Sequence, residues 1–345
     1  MSEGPFMKRH NITCCWFIQC LFILVFMLVI AACKSTPENV TKDAEFRPAE
    51  KILIVGHRGA AGLRPENTLS AFREACRLGV DAVELDVLLS AEEKIIVHHD
   101  YTLKPEIART LDGKWLNHPS APIKNLSLDE IKAYDVGRLK PSTRYSRRYP
   151  EQEPLDGEHI PTLSEVIDVL KAECDPQTQL WIEIKTNPEK PDLTPAPDAV
   201  TQAVVSLLRR EKLIKRVRIL AFDWRSLEHV QEIAPDIPTV YLSLAGVRLN
   251  NIKPGQPGAS PWLAGVDVDD FNGSIPRAVH AAGGKYWAPY YKHLTVTHLN
   301  QAHSLGMRVF VWTPDHRNDM VHLIEMGVDG IITNRPDILK SIVEE

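Results

Sequence analysis

An eight-stranded parallel α/β barrel, the TIM (β/α)8 fold, is what this sequence predicts. Three observations carry that expectation. Short apolar runs alternate with stretches of helical periodicity along most of the chain, the rhythm of a parallel sheet. Eight of those runs are separated by connections long enough for parallel crossovers. Charged and titratable residues gather at the C-terminal ends of several runs, where barrels carry their function. A doubly wound open sheet is the alternative. It commonly brings a G-x-G-x-x-G turn, and this sequence contains none.

In chain order, the strands are expected at KILIVGH (51–57), DAVELDV (81–87), QLWIEIK (179–185), VRILAF (217–222), TVYLSL (239–244), KYWAPY (285–290), MRVFVW (307–312) and DGIIT (329–333). Helices are expected over Thr68 to Leu78, Leu163 to Ala172, Asp198 to Arg210, Trp224 to Ile233, His298 to Leu305 and Asp319 to Met326. In the first of these, Leu69, Phe72, Ala75 and Cys76 recur at helical spacing. Asn67 or Thr68 caps its start, and Gly79 ends it. KIIVHH (94–99) follows the second strand after only a few residues, so it must return antiparallel, as a hairpin arm. GVDVDD (265–270) is ambiguous: an extra strand or part of the sixth unit.

Residues 101–159 interrupt the alternation. They hold prolines, many charges and one short helix near Leu128 to Tyr134. Such a segment exceeds an ordinary loop and is expected to sit above the barrel face, covering the site. Within it, Arg144, Arg147 and Arg148 read as a solvated loop, with contact to an anionic substrate or a membrane as the alternative.

The 345 residues are 44% hydrophobic and 25% charged, an ordinary globular balance. Net charge is -5, with acids scattered, so nothing favours nucleic acid as a partner. Residues 1–33 stand apart. Lys8 and Arg9 precede an apolar run from Trp16 to Ala32, and Ala31-Ala32 stands directly before Cys33. A basic start, an apolar core and small residues before a break describe a secretory signal. The small pair before cysteine resembles the lipobox of bacterial lipoproteins, which implies acylation of Cys33 and a lipid-anchored protein outside the cytoplasm. Lys34 in place of aspartate after the cysteine implies, by resemblance to enteric sorting, the periplasmic face of the outer membrane. An uncleaved membrane anchor is the alternative. Residues 34–50 are polar and aperiodic, a flexible tether, and residues 51–345 form the barrel body. After cleavage only Cys76 and Cys174 remain as thiols. That is no disulfide framework, and Cys76 reads as core.

The chemistry collects at four places. The first strand ends in Gly56-His57-Arg58-Gly59; the second carries Glu84 and Asp86; the third carries Glu183 and Lys185; the hairpin arm ends in His98-His99-Asp100. Residues i and i+2 share a strand face, so Glu84 pairs with Asp86 and Glu183 with Lys185 at the interior mouth. Three carboxylates there repel unless a cation lies between them, and an all-oxygen set suits Mg²⁺ or Ca²⁺. A salt-bridge network with Arg58 and Lys185 is the other reading. Arg58 and Lys185 suit an anionic ligand such as phosphate. His57 and His99 suit general acid and base work, while His98 falls on the opposite face.

The stretch GHRGAAGLRPENTLSAFREACRLGVDAVELDVLLSAEEKIIVHHD resembles the signature of the glycerophosphodiester phosphodiesterases: His-Arg-Gly, Pro-Glu-Asn-Thr, Glu-x-Asp-Val and His-Asp. The likeness continues through IPTLSEVI, WIEIK, VFVWT and GVDGIITNRPD, spanning Ile52 to Leu339. The resemblance implies a TIM barrel and one divalent metal on Glu84, Asp86 and Glu183. It implies His57 and His99 as the acid/base pair, with Arg58 and Lys185 on the phosphate. Glu66 would orient the site, and Trp312 would pack on the glycerol. The implied reaction yields sn-glycerol 3-phosphate and an alcohol, by attack of the glycerol 2-hydroxyl and opening of a cyclic phosphate. Ser90-Ala91-Glu92-Glu93 and VWTPD depart from the family pattern and bear on substrate preference. A lysophospholipase D-like activity is the alternative enzyme reading. A non-catalytic periplasmic phosphodiester-binding protein is the alternative outside enzymes.

Overall fold

Eight parallel strands close on themselves in a computed structural model that describes residues 51–246 and 249–345. Residues 1–50, on which the expectations of a signal segment, lipidation at Cys33 and a tether fall, lie outside the described residues. The barrel strands are β1 (Leu53–Gly56), β2 (Ala82–Leu89), β6 (Gln179–Ile184), β7 (Val217–Ala221), β8 (Thr239–Ser243), β9 (Tyr286–Pro289), β10 (Arg308–Trp312) and β11 (Gly330–Thr333). Their order is sequential, and β1 pairs with both β2 and β11, which closes the ring. All eight expected strands are present, and the TIM barrel expectation holds. Strands covered on both faces read as continuous apolar runs, and every residue of β2 is buried.

Helices wrap the outside: α1 (Leu69–Leu78), α3 (Leu163–Glu173), α4 (Pro197–Arg210), α5 (Trp224–Ile233), α6 (Ile275–Ala281), α7 (Val296–Ser304), α8 (Arg317–Met326) and α9 (Pro336–Val343). Their starts are fixed locally. Thr68 caps α1 by accepting the Ala71 N–H, and Thr162 with Glu165 forms a capping box on α3. The sequence reading missed α6 and α9. GVDVDD is neither a strand nor part of one; Asp267 accepts the Asp269 N–H and opens a 3-10 turn, Val268–Phe271. Inside the barrel, Val55, Trp181, Leu220, Leu242, Phe310 and Ile332 pack as one cluster. At the N-terminal end Arg218 closes it, its guanidinium 4.8 Å from the Trp181 ring and 4.7 Å from Tyr286.

The expected hairpin arm is β3 (Ile95–Val97), antiparallel to β2 with Val87 opposite Val97. The inserted segment adds a two-stranded ribbon, β4 (Arg109–Thr110) with β5 (Tyr134–Asp135), and the short α2 (Leu128–Lys132). Its Leu103, Ile123 and Ile131 pack in one apolar cluster with Leu88 of β2 and Ile96 of β3.

The expectation of two free thiols is corrected. Cys76 on α1 and Cys174 at the end of α3 are disulfide-bonded. The two helices pack side by side, and the Cα atoms stand 4.7 Å apart, within disulfide reach.

Candidate active site

Glu84 and Asp86 share one face of β2, and Asp86 is in register with Glu183 on β6. All three side chains are buried at the C-terminal mouth. Each offers an oxygen within 4.8 Å of the others. Burial and then repulsion from Asp86 and Glu183 push the Glu84 carboxyl well above its ordinary range. Burial also raises Asp86, yet Lys185 and Arg58 outweigh it and hold that carboxyl low. Asp86 Oδ1 has no hydrogen-bond partner although it is buried. The Lys185 ammonium stands 3.5 Å from it, an ion-pair distance without a hydrogen bond. A buried carboxylate oxygen left bare beside two more carboxylates fits a hard divalent cation.

Two cations stand against this set. The Lys185 ammonium donates to Glu183 Oε1 at 2.5 Å. Arg58 takes an unusual backbone, φ 50°, which turns its N–H onto Glu84 Oε2 at 2.9 Å. A left-handed non-glycine residue is a strained feature that clusters at functional sites. The Arg58 guanidinium donates to Glu66 Oε1 at 2.6 Å and lies 3.3 Å from Asp86. Glu66, which the resemblance makes an orienting residue of the site, thus holds the Arg58 guanidinium. Gly59 must be glycine: at φ 84° its added Cβ would come within 2.6 Å of the Ala71 backbone. Asn67 also turns inward and donates to Asp86 Oδ2.

The two histidines differ in their partners. His57 Nδ1 lies 2.7 Å from Asn334 Oδ1. The Asn334 amide nitrogen donates to Asp315 Oδ2 at 2.7 Å, which settles which end of the amide faces His57. His57 therefore donates from Nδ1 and presents a bare Nε2, 4.0 Å from Glu84. Burial, and then the Arg58 charge, push the His57 imidazole down to about 3. His99 Nδ1 lies 3.1 Å from Asp100 Oδ1. Burial raises the Asp100 carboxyl, but the His99 hydrogen bond and the charges of His99 and Lys104 keep it low. His98 is buried away from this group, its Nε2 without a partner.

A cavity of about 510 Å³ gathers His57, Arg58, Glu84, His99, Glu183 and Trp312. Trp312 donates its indole N–H to the Ala288 carbonyl at 2.9 Å and packs edge-on against Phe222. Arg58, Glu84, Glu183 and the two imidazoles thus line one space, with Lys185 paired to Glu183 and Asp86, an arrangement suited to phosphoryl transfer.

The structure adds residues that sequence reasoning did not single out. Asn334 and Asp315 stand at the ends of β11 and β10, where barrel function concentrates, so their positions were a usable signal. Tyr145 gave none. It reaches in from the insertion, donating its hydroxyl to Glu66 Oε2 and receiving Arg58 at 3.4 Å.

Comparison with known proteins bears on this geometry. Residues 57–338 match the model of the glycerophosphoryl diester phosphodiesterase family. A glycerophosphodiester phosphodiesterase of Caldanaerobacter subterraneus is 28% identical over 295 residues, covering 86% of this chain and 99% of that one. One of Bacillus subtilis is 27% identical, covering 97% and 98%. The crystal structure of a putative glycerophosphoryl diester phosphodiesterase from Silicibacter pomeroyi superposes with a TM-score of 0.76 at 33% identity, covering 87% of this chain and 95% of that one. With the family match spanning most of the barrel and every motif in order, the chain belongs to the glycerophosphoryl diester phosphodiesterase family.

Proposed function

We propose that the protein hydrolyses glycerophosphodiesters to sn-glycerol 3-phosphate and an alcohol. The observation that carries this reading is that Glu84 and Glu183 of the carboxylate trio line one cavity with His57 and His99. Glu84, Asp86 and Glu183 hold one divalent cation, Ca²⁺ or Mg²⁺. When bound, the ion polarises phosphoryl oxygens and offsets the charge that builds on them.

Arg58 and Lys185 bind the phosphate. The Trp312 ring packs on the glycerol. His57, fixed by Asn334 with Nε2 bare, takes the proton of the glycerol 2-hydroxyl, whose oxygen attacks phosphorus. His99, held by Asp100 3.1 Å from its Nδ1, donates a proton to the departing alcohol oxygen. The P–O bond to that alcohol breaks, leaving a cyclic glycerol phosphate. Water then opens the ring, with the two histidines exchanging roles, so one water is consumed and both side chains return to their starting states. The aliphatic residues of the cavity, Leu220, Leu242 and Ile332, belong to the barrel's interior cluster, and Phe222, Tyr290, Tyr291 and Trp312 add aromatic surface.

The lipobox resemblance supports a protein lipidated at Cys33, with residues 1–33 as signal and 34–50 as tether, at the periplasmic face of the outer membrane. The Cys76–Cys174 disulfide agrees with an oxidising compartment.

The test is release of glycerol 3-phosphate from glycerophosphocholine and glycerophosphoethanolamine by the full chain, stripped with chelator and then given Ca²⁺ or Mg²⁺. Turnover restored by an ion, and lost in Glu84→Ala, is expected. Folded protein that releases nothing with either ion would overturn the reading.

A further inference from the structure

The inserted segment brings cations to the site that the hydrolysis itself does not use. A second cavity of about 400 Å³ adjoins the first, and Asp100, Lys104, Tyr145 and Arg148 line both. Arg144 lines the second alone. Of the three arginines in this run, only Arg147 turns aside, onto the Ser142 carbonyl. Arg144 and Arg148 are exposed, as a solvated loop implies, yet both border this second cavity.

Charge pairing separates these two from their neighbours. Elsewhere in the insertion, Arg109 pairs with Asp135 and Asp156, and Arg138 with Asp156. Among the described residues, no carboxylate lies in ion-pair reach of Arg144 or Arg148. Of the two acids in the second cavity, Asp100 is already held by His99 and Lys104, which leaves only Glu106. The Arg148 guanidinium lies 5.7 Å from the ring centres of both Tyr145 and Tyr149. Tyr145 in turn touches Arg58 through its hydroxyl. One tyrosine thus separates the guanidinium at the reacting phosphate from a second one farther out.

We propose that this outer compartment receives a second phosphate, carried by the leaving alcohol. The preferred substrates are then glycerophosphodiesters whose alcohol is itself phosphorylated. The inference rests on the hydrolytic reading of the inner site. Two guanidinium forks match a phosphate dianion better than they match one carboxylate. A quaternary ammonium would seek the faces of Tyr145 and Tyr149, but Arg148 occupies them and repels it.

The experiment compares kcat/KM for glycerophosphoinositol and glycerophosphoinositol 4-phosphate, using the full chain with its divalent ion restored. These probes differ only in the second phosphate. We expect about a tenfold preference for the phosphorylated diester, as one charged hydrogen-bonding contact supplies, carried mainly in KM and shrinking as salt rises. In the Arg144→Gln/Arg148→Gln protein the preference should vanish, and Arg148→Lys should keep part of it. Equal kcat/KM for the two substrates in the unaltered chain would overturn this proposal alone. So would a preference that survives the double substitution in protein with an unchanged melting temperature. Turnover of neither substrate would overturn the hydrolytic reading and this one with it.

Discussion

Asn334 holds His57 through a 2.7 Å hydrogen bond, and Asp315 holds Asn334 through another of 2.7 Å. The chain from carboxylate to amide to imidazole fixes one ring tautomer. Asn334→Ala should therefore lower kcat about a hundredfold, the scale of a mispositioned general base, with a much smaller change in KM. Asp315→Ala should act in the same direction more weakly, because it frees the amide to rotate. Steady-state kinetics on both variants checks this; a loss confined to KM would refute the positioning role.

The carboxylate trio predicts opposite effects in the presence and absence of ion. Without a cation, Glu84 is raised by burial and by its two neighbours, so Glu84→Gln removes repulsion and should raise the melting temperature of chelator-stripped protein. With saturating Ca²⁺ or Mg²⁺, the unaltered chain should gain a few degrees, since a ligand at 100 times its Kd adds about 2.7 kcal/mol. The variant should gain little. Calorimetry with and without ion reads both halves.

The Cys76–Cys174 bond joins positions 98 residues apart. Reduction, or Cys76→Ala with Cys174→Ala, should cost about 2–4 kcal/mol by releasing the unfolded chain from that constraint. Guanidinium unfolding with and without reductant measures the loss. Peptide mapping that finds both thiols free in unreduced protein would contradict the link.

Asp329, just before β11, accepts from the Val309 N–H at 2.7 Å and faces His303 at 3.0 Å and Arg308 at 3.2 Å. Burial raises its carboxyl, but these partners outweigh that and hold it below the ordinary range. A carboxyl lowered in the folded state stabilises above its unfolded pKa of about 3.9 and loses that contribution as pH falls below it. Asp329→Asn should cost about 2–3 kcal/mol at pH 7, and the gap between variant and parent should narrow as pH drops through about 4. Urea titrations at pH 7 and pH 4 compare the two.

The eight strands were legible because each is largely buried and reads as a short, mostly apolar run, interrupted chiefly where functional charges sit, as at Glu84 and Asp86. GVDVDD imitated that pattern through alternation alone, and the Asp267 side chain turned it into a 3-10 turn instead. The helices α6 and α9 escaped notice because each is short and opens at a proline-bearing turn, Ile275-Pro276 and Pro336. Glu84, Asp86, Glu183 and Lys185 were legible because two-residue periodicity puts them on one face. Contacts between distant segments were not: Tyr145 meets Glu66 across 79 residues, and Cys76 meets Cys174 across 98. Nothing local in either pair announces the other.

The inserted segment packs in an apolar cluster shared with Leu88 of β2 and Ile96 of β3, and its inward residues, Lys104, Tyr145, Arg148 and Tyr149 among them, reach the cavity. Such an arrangement lets selectivity change in a segment rooted on the barrel rather than in the strands that carry the chemistry. Substitutions in this cap can drift, or whole caps can be exchanged, while the strands beneath keep one reaction intact. Related barrels can thus diversify their diet without reinventing their chemistry.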